Sequence, residues 1–280
     1  MTDGEGPRSR PKRSLGQHFL VDPNIQRKIV AELDPGPEDY VLEVGPGHGE
    51  LSRHLRGRCR GLVLIEKDRE LAASLRARWG DRPGVDILEA DALRLDLSTC
   101  VPPGAPVRVV SNVPYNITSP LVFAFLELDP AAVRAVITVQ REVADRIVAA
   151  PGTKVYGALS VGIQAVAEAS LVFRVGRQAF RPVPAVDSAV VRLEPRPDAA
   201  GVDREGLRTL TRACFNRRRK QLQKTLRTAP ELGFSGDPRA LLTSLSINPA
   251  ARPEVLDPDQ FVALAARLRA LEESDTAPRE

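Results

Sequence analysis

Between residues 41 and 149 the sequence repeats one arrangement: a short apolar run, a turn, then a longer amphipathic stretch. The runs are 41–44, 62–65, 85–88, 107–111 and 135–139. They are too short for stable helices and show little polar alternation, so they read as strands buried on both faces. The stretches 51–55, 69–79, 121–126 and 142–149 have helical spacing. Strands alternating with helices argue for an α/β fold, a parallel sheet with helices on both faces. Ahead of this, Ile25, Ile29, Val30 and Leu33 fall on one helical face, with Asp22 as cap and Pro23 at the first position.

The pattern changes after Pro151. Two late β-rich runs, 171–175 and 186–193, flank a proline-rich loop and are expected to close the sheet as an antiparallel pair. Residues 195–201 read as a linker. From Asp203 the chain reads as helical, with breaks at 230–238 and 248–258. The expected organisation is a mobile basic arm over 1–13, a sheet-bearing domain over 14–195, a helical domain over 202–272 and a frayed tail over 273–280.

Of the 280 residues, 42% are hydrophobic and 27% charged, which supports a full core and excludes wholesale disorder. The longest uncharged stretch, 109–126, carries Pro114, Pro120, Asn112 and Asn116, and is no membrane span. Residues 1–13 contain no apolar core of a secretory signal. Cys59, Cys100 and Cys214 are odd in number and widely spaced, and His18, His48 and His54 form no ligand pattern. Neither a disulfide framework nor a metal site is expected, and reduced cytoplasmic thiols are. Net charge is +4. Its distribution is more telling: Arg8, Arg10, Lys12 and Arg13 form one basic cluster, and Arg217, Arg218, Arg219, Lys220, Lys224 and Arg227 another. Such clusters suit phosphate backbones, or are simply solvated surface.

Five short motifs carry candidate chemistry. Glu43-Val44-Gly45-Pro46-Gly47-His48-Gly49 joins the first run to its helix. Its glycines permit a sharp turn and a close ligand approach, but the spacing is not that of the dinucleotide fingerprint. Glu66 ends the second run, where a carboxylate can accept from both hydroxyls of a ribose, or pair with Lys67. Asp91-Ala92 follows the third run, where the acid can accept from an adenine amino group or cap a turn. Asn112-Val113-Pro114-Tyr115 follows the fourth: an amide oxygen and a carbonyl beside proline can both accept from one amino group, with an aromatic ring to stack on its base. A proline turn with a buried tyrosine is the other reading. The fifth is 180–188, Phe-Arg-Pro-Val-Pro-Ala-Val-Asp-Ser, in which Phe180 is either a second aromatic face or ordinary core.

With Gly16-Gln17-His18-Phe19-Leu20 in front, the order and spacing of these motifs over 14–271 resemble the ribosomal RNA adenine dimethyltransferases. The resemblance implies a Rossmann-like S-adenosylmethionine-dependent methyltransferase sheet with a smaller C-terminal all-helical domain. It places Gln17, His18 and Leu20 at the mouth of the cofactor site. Glu43, Gly45 and Gly47 fall beside the cofactor's amino-acid part, Glu66 and Lys67 by its ribose, and Asp91 and Ala92 at its adenine. Asn112 and Pro114 would orient the target amino group, Asn112 also bordering the methionine moiety, with Tyr115 and Phe180 sandwiching the base. Many members have asparagine where His18 stands and leucine where Val113 stands. The segments 215–222 and 248–254 resemble the small-subunit branch, so Arg217, Arg218, Arg219, Lys220 and Lys224 would grip small-subunit ribosomal RNA within an immature small subunit. The protein is expected to act as a monomer, without a membrane. The large-subunit, macrolide-resistance branch and a non-catalytic assembly factor are the alternatives.

Overall fold

The computed structural model describes residues 11–12, 16–128 and 132–276. The basic residues Arg8, Arg10 and Arg13 of the expected N-terminal arm lie outside the described residues, as do 277–280 of the expected tail. The chain divides into two compact units, Met1–Ala144 with Ala169–Pro195, and Asp145–Glu168 with Arg196–Glu280.

The first unit opens with β1 (Phe19–Leu20) and α1 (Pro23–Leu33). Asp22 caps α1 by accepting from the backbone N–H groups of Asn24 and Ile25 at 2.8 and 3.3 Å. There follow β2 (Tyr40–Val44), α2 (Ser52–Leu55), β3 (Gly61–Glu66), α3 (Arg69–Trp79), β4 (Val85–Glu89), β5 (Val107–Asn112), α4 (Thr118–Leu126), β6 (Arg134–Gln140) and α5 (Arg141–Ile147). After α6 (Ala158–Gln164) come β7 (Ala167–Val175), β8 (Phe180–Arg181) and β9 (Ser188–Pro195). Seven strands form one sheet in the order β4-β3-β2-β5-β6-β9-β7. The first five are mutually parallel, and β9 runs antiparallel to β6. Every residue of β3 is buried, as a central parallel strand requires. All five expected parallel strands are present within one or two residues of their expected ends.

The strand order fixes where a ligand can sit. The chain runs outward from β2 to β3 and β4, then returns to β5 on the other side of β2. Val44 at the end of β2 therefore lies in register with both Ile65 and Ser111. The strand order reverses at that point, and a crevice opens beyond the carboxyl ends of the strands.

Two features depart from the expectation. Phe19–Leu20 and Phe180–Arg181 pair as a separate antiparallel ribbon, with Leu20 opposite Phe180 and Phe19 opposite Arg181. Residues 145–168, expected within the sheet-bearing domain, belong to the second unit instead. There Tyr156 donates from its hydroxyl to the Leu256 carbonyl at 2.9 Å, and α6 buries Leu159, Val161 and Ile163. The rest of that unit is helical: α7 (Arg204–Asn216), α8 (Leu222–Thr228), α9 (Pro238–Ser244) and α10 (Pro258–Thr276). The expected breaks at 230–238 and 248–258 are present. A third separates α7 from α8, so Arg217–Lys220 lie on a turn, closed by Lys220 N–H on the Arg217 carbonyl at 2.7 Å. No apolar residue in 216–221 gives that stretch a face to bury.

Candidate active site

A cleft lies beyond the carboxyl ends of β2, β3, β4 and β5, within the first unit. Its lining includes Gln17, His18, Gly45, Gly47, Glu66, Lys67, Asp91, Ala92, Asn112, Pro114 and Tyr115. Those from Gly45 to Tyr115 converge because they follow or end neighbouring parallel strands, and Gln17 and His18 join them from the segment before β1.

The glycine loop shapes one wall. Gly45 has φ of +70°, and a Cβ built there would meet nothing within 4 Å, so the backbone itself borders open cleft. Gly49, at φ +82°, has its Cα against the Trp79 ring, which leaves no room for a side chain. Glu66 is buried at the cleft floor. Its Oε2 accepts from Gly47 N–H at 3.1 Å and its Oε1 from Asp68 N–H at 2.8 Å. Burial raises the Glu66 carboxyl above the usual range, and those backbone donors oppose the rise. At the rim Lys67 Nζ donates to Asp91 Oδ2 at 2.9 Å, which holds the Asp91 carboxyl low, while Asp91 Oδ1 accepts from Leu93 N–H at 3.1 Å.

Opposite this wall stand Asn112 and Tyr115. Asn112 Nδ2 donates to the His18 carbonyl at 2.7 Å. The partner is an acceptor only, so the amide nitrogen must face it and Oδ1 remains an acceptor. The Pro114 carbonyl accepts from Ile117 N–H at 3.1 Å and, at the longer distance of 3.5 Å, from Thr118 Oγ1. Tyr115 shares a 2.7 Å hydrogen bond between its hydroxyl and Ser188 Oγ, which anchors the ring. The His18 ring stacks on Tyr115 with centroids 5.4 Å apart, and His18 Nδ1 donates to the Pro182 carbonyl at 2.8 Å.

Three nominated residues do not line the cleft. Leu20 and Phe180 are cross-strand partners in the β1–β8 ribbon, so their side chains share a face. Both turn into the core, at 1% and 0% exposure. Phe180 is therefore core rather than an aromatic face of this cleft. Phe19, on the alternate face of β1, lines the cleft instead, tilted over His48 at 4.4 Å. Glu43 lies beneath the glycine loop, accepting from Ser52 Oγ at 2.6 Å. Desolvation, with Glu50 and Glu66 nearby, pushes its carboxyl up to about 8. The sequence reading missed Phe19, Leu71, Leu93 and Ile117 in the lining. Alternation along 17–20 could have separated Phe19 from Leu20, whereas the other three carry no signal beyond apolarity.

In the second unit the basic cluster divides. Arg217 pairs with Glu231 at 2.7 Å. Arg218 pairs with Glu254 at 2.7 Å and donates to the Lys154 and Thr153 carbonyls at 2.8 and 3.0 Å. Those two cations brace loops, whereas Arg219, Lys220, Lys224 and Arg227 are exposed. Among the described residues no group of histidine, cysteine and acidic side chains could hold a metal ion, and no helix is long and apolar enough to cross a membrane.

Comparison with known proteins agrees with this geometry. The ribosomal RNA adenine dimethylase family matches residues 8–269. Ribosomal RNA small subunit methyltransferase A of Nitratidesulfovibrio vulgaris is 44% identical over 264 residues, covering 91% of this chain and 95% of that protein. The protein of the same name from Geobacter metallireducens is 41% identical over 273 residues, covering 96% and 98%. Among solved structures, a dimethyladenosine transferase from Plasmodium falciparum superposes with a TM-score of 0.79 at 25% identity, covering 90% of this chain and 98% of that one. The 23S rRNA methyltransferase ErmE does so with 0.66 at 31% identity, covering 90% and 99%. The cleft at the strand-order reversal, with its glycine loop, buried acid and Asn-Val-Pro-Tyr corner, is therefore that of a chain belonging to the ribosomal RNA adenine dimethylase family.

Proposed function

We propose that this chain is an S-adenosylmethionine-dependent methyltransferase that dimethylates the exocyclic amino group of ribosomal RNA adenines. The targets are two adjacent adenines in the hairpin loop near the 3′ end of small-subunit RNA, modified in the cytoplasm late in subunit assembly by a monomer. The observation that carries the reading is the fixed amide of Asn112. Its nitrogen is committed to the His18 carbonyl, so an acceptor stands beside the Pro114 carbonyl in the cleft that also holds Glu66. The names of the relatives at 41–44% identity favour the small subunit.

The residues fit the cofactor. Gly45 gives a backbone wall with open space where a Cβ would stand. Glu66, at a strand end and held by two backbone donors, has lone pairs to spare for ribose hydroxyls. Asp91 Oδ2 can exchange Lys67 for an adenine amino group. S-adenosylmethionine supplies, when bound, a methyl group already electrophilic on sulfur.

The remaining task is to make a poor nucleophile attack. The adenine amino lone pair is delocalised into the ring. Asn112 Oδ1 and the Pro114 carbonyl accept its two N–H groups, draw the nitrogen toward tetrahedral geometry and localise the pair. Tyr115, anchored on Ser188, presents a face for the base, which must leave its stack to enter. Positioning then supplies much of the rate. Arg219, Lys220 and Lys224 meet RNA phosphates.

The test is radiolabelled methyl transfer to unmethylated small subunits and to large-subunit RNA, with dimethyladenine mapped by mass spectrometry. Label in the small-subunit hairpin is expected. Label only in large-subunit RNA would favour the reading that the 31% identity to ErmE supports. Binding without label would leave an assembly factor.

A further inference from the structure

The flank of the first unit beside the glycine loop carries charge that the proposed chemistry does not use. From Leu51 to Ile65 the chain has Arg53, Arg56, Arg58 and Arg60 and no carboxylate. We propose that Arg27, Arg53 and Arg58 form a second RNA surface, which holds phosphates of the strand or helix flanking the target base. This rests on the adenine-methyltransferase reading above.

The packing of α2 on α1 assembles the patch. Gln26 is buried and donates from Nε2 to the Leu20 carbonyl at 2.7 Å, so its Oε1 is left to accept from His54 Nε2 at 3.1 Å. That bond brings Arg27 of α1 and Arg53 of α2 to one place. Desolvation holds the His54 imidazole below its usual range, and the charges of Arg53, Arg27 and Arg58 all push it the same way. Three exposed guanidiniums thus share the surroundings of one neutral ring. Arg27 donates to Asn24 Oδ1 at 2.6 Å and Arg53 to the Gly49 carbonyl at 3.4 Å, both neutral acceptors. The neighbouring groups are engaged elsewhere. Arg60 pairs with Glu38 at 3.1 Å, Arg56 lies over the Trp79 ring at 4.8 Å, and Glu32, the one carboxylate of α1, faces Arg192 at 2.7 Å. Like charges gathered without a counter-ion repel, and an anion among them relieves that repulsion. Guanidinium forks match phosphate oxygens. Arg53 N–H also donates to the Gly49 carbonyl at 3.2 Å, so the patch begins where the glycine loop ends. A membrane surface fits less well, because among the described residues no exposed large apolar side chain lies on α1, α2 or the turn into β3.

The test measures binding of a small-subunit RNA fragment, with the 3′ hairpin and its flanking helices, between about 50 and 200 mM salt. R27Q/R53Q/R58Q should make the slope of log K against log salt shallower than in wild type by about 2.1–2.7, for three lost phosphate contacts. R27K/R53K/R58K keeps the charges and should keep the slope. Arg53 touches the glycine loop, so R27Q/R58Q carries the check on folding. It should melt and bind S-adenosylmethionine like wild type, yet lose about 1.4–1.8 of slope. An unchanged slope in both glutamine variants overturns the proposal. So does an equal loss in the lysine variant, or a loss confined to binding of phosphatidylglycerol vesicles. A wild type that neither binds nor methylates this RNA overturns the parent reading and this one together. A wild type that methylates it, with unchanged slopes in the variants, overturns this one alone.

Discussion

Asn112 donates its side-chain amide to the backbone carbonyl of His18 at 2.7 Å, tying the end of β5 to the segment that precedes β1. The bond has two effects. It orients the amide with oxygen as the free acceptor, and it holds the His18 ring against Tyr115.

Replacing Asn112 with alanine removes the acceptor. Methyl transfer should fall by about 10²-fold or more, the scale of losing one preorganised polar group at a reacting centre. Ribosome binding should persist, because the exposed basic residues are untouched. Retained full methylation, measured by label incorporation, would show that Asn112 does not orient the target amine.

Glu43 gives a pH prediction. Its carboxyl sits at about 8 in the folded protein, above its ordinary value of 4.5, chiefly because it is buried. Between those values the folded state holds a proton that the unfolded state has released. Stability therefore falls as pH rises through that window, by at most about 1.4 kcal/mol per pH unit, and levels off above the folded value. E43Q keeps the shape and cannot ionise. Its thermal melting point should exceed that of wild type most at pH 8 and converge near pH 5. Glu66, also raised, leaves a residual slope in both proteins. Parallel melting curves across that range would show that Glu43 is ionised throughout.

The two glycines should separate folding from binding. G49A drives a methyl into the Trp79 ring at a positive φ, and should cost about 2–4 kcal/mol of stability. G45A has open space, so it should cost only about 1 kcal/mol of backbone strain. Its effect should fall on S-adenosylmethionine affinity, read by calorimetry. Equal cofactor Kd in G45A and wild type would argue against a close approach there.

Charge in the second unit should likewise divide by role. R218A loses a carboxylate and two carbonyls, and should lower the melting point by about 2–4 °C per kcal/mol lost. The double variant R219A/K220A should melt like wild type. Its RNA affinity should drop, with the slope of log K against log salt shallower by about 1.4–1.8 for two lost phosphate contacts. An unchanged slope would take both residues out of the RNA interface.

Much of this was legible in the chain. The five parallel strands follow from apolar runs that only a sheet buried on both faces tolerates. Glu66, Asp91 and Asn112 stand at or just beyond the ends of β3, β4 and β5, so a parallel sheet brings them to one edge. The breaks at 230–238 and 248–258 are written in proline, glycine and polar turns.

Where the sequence misled, the reason was pairing between distant segments. Phe180 reads equally well as core or as a base wall. Its partner Leu20 decides, because cross-strand neighbours must share a face. Arg218 reads as one more phosphate contact until Glu254, 36 residues away, and two loop carbonyls claim it.

The sequence alone determined the alternation of strands and helices, the glycine turn and the set of polar residues at the strand ends. These depend on periodicity and backbone conformation, which are local. Only the tertiary structure decided which aromatic ring faces Tyr115, which carboxylate is buried under the glycine loop, and which arginines are braces. His18 meets Pro182 across 164 residues. Contacts at that range depend on the register of a ribbon and the burial of its partners, and no local pattern carries either.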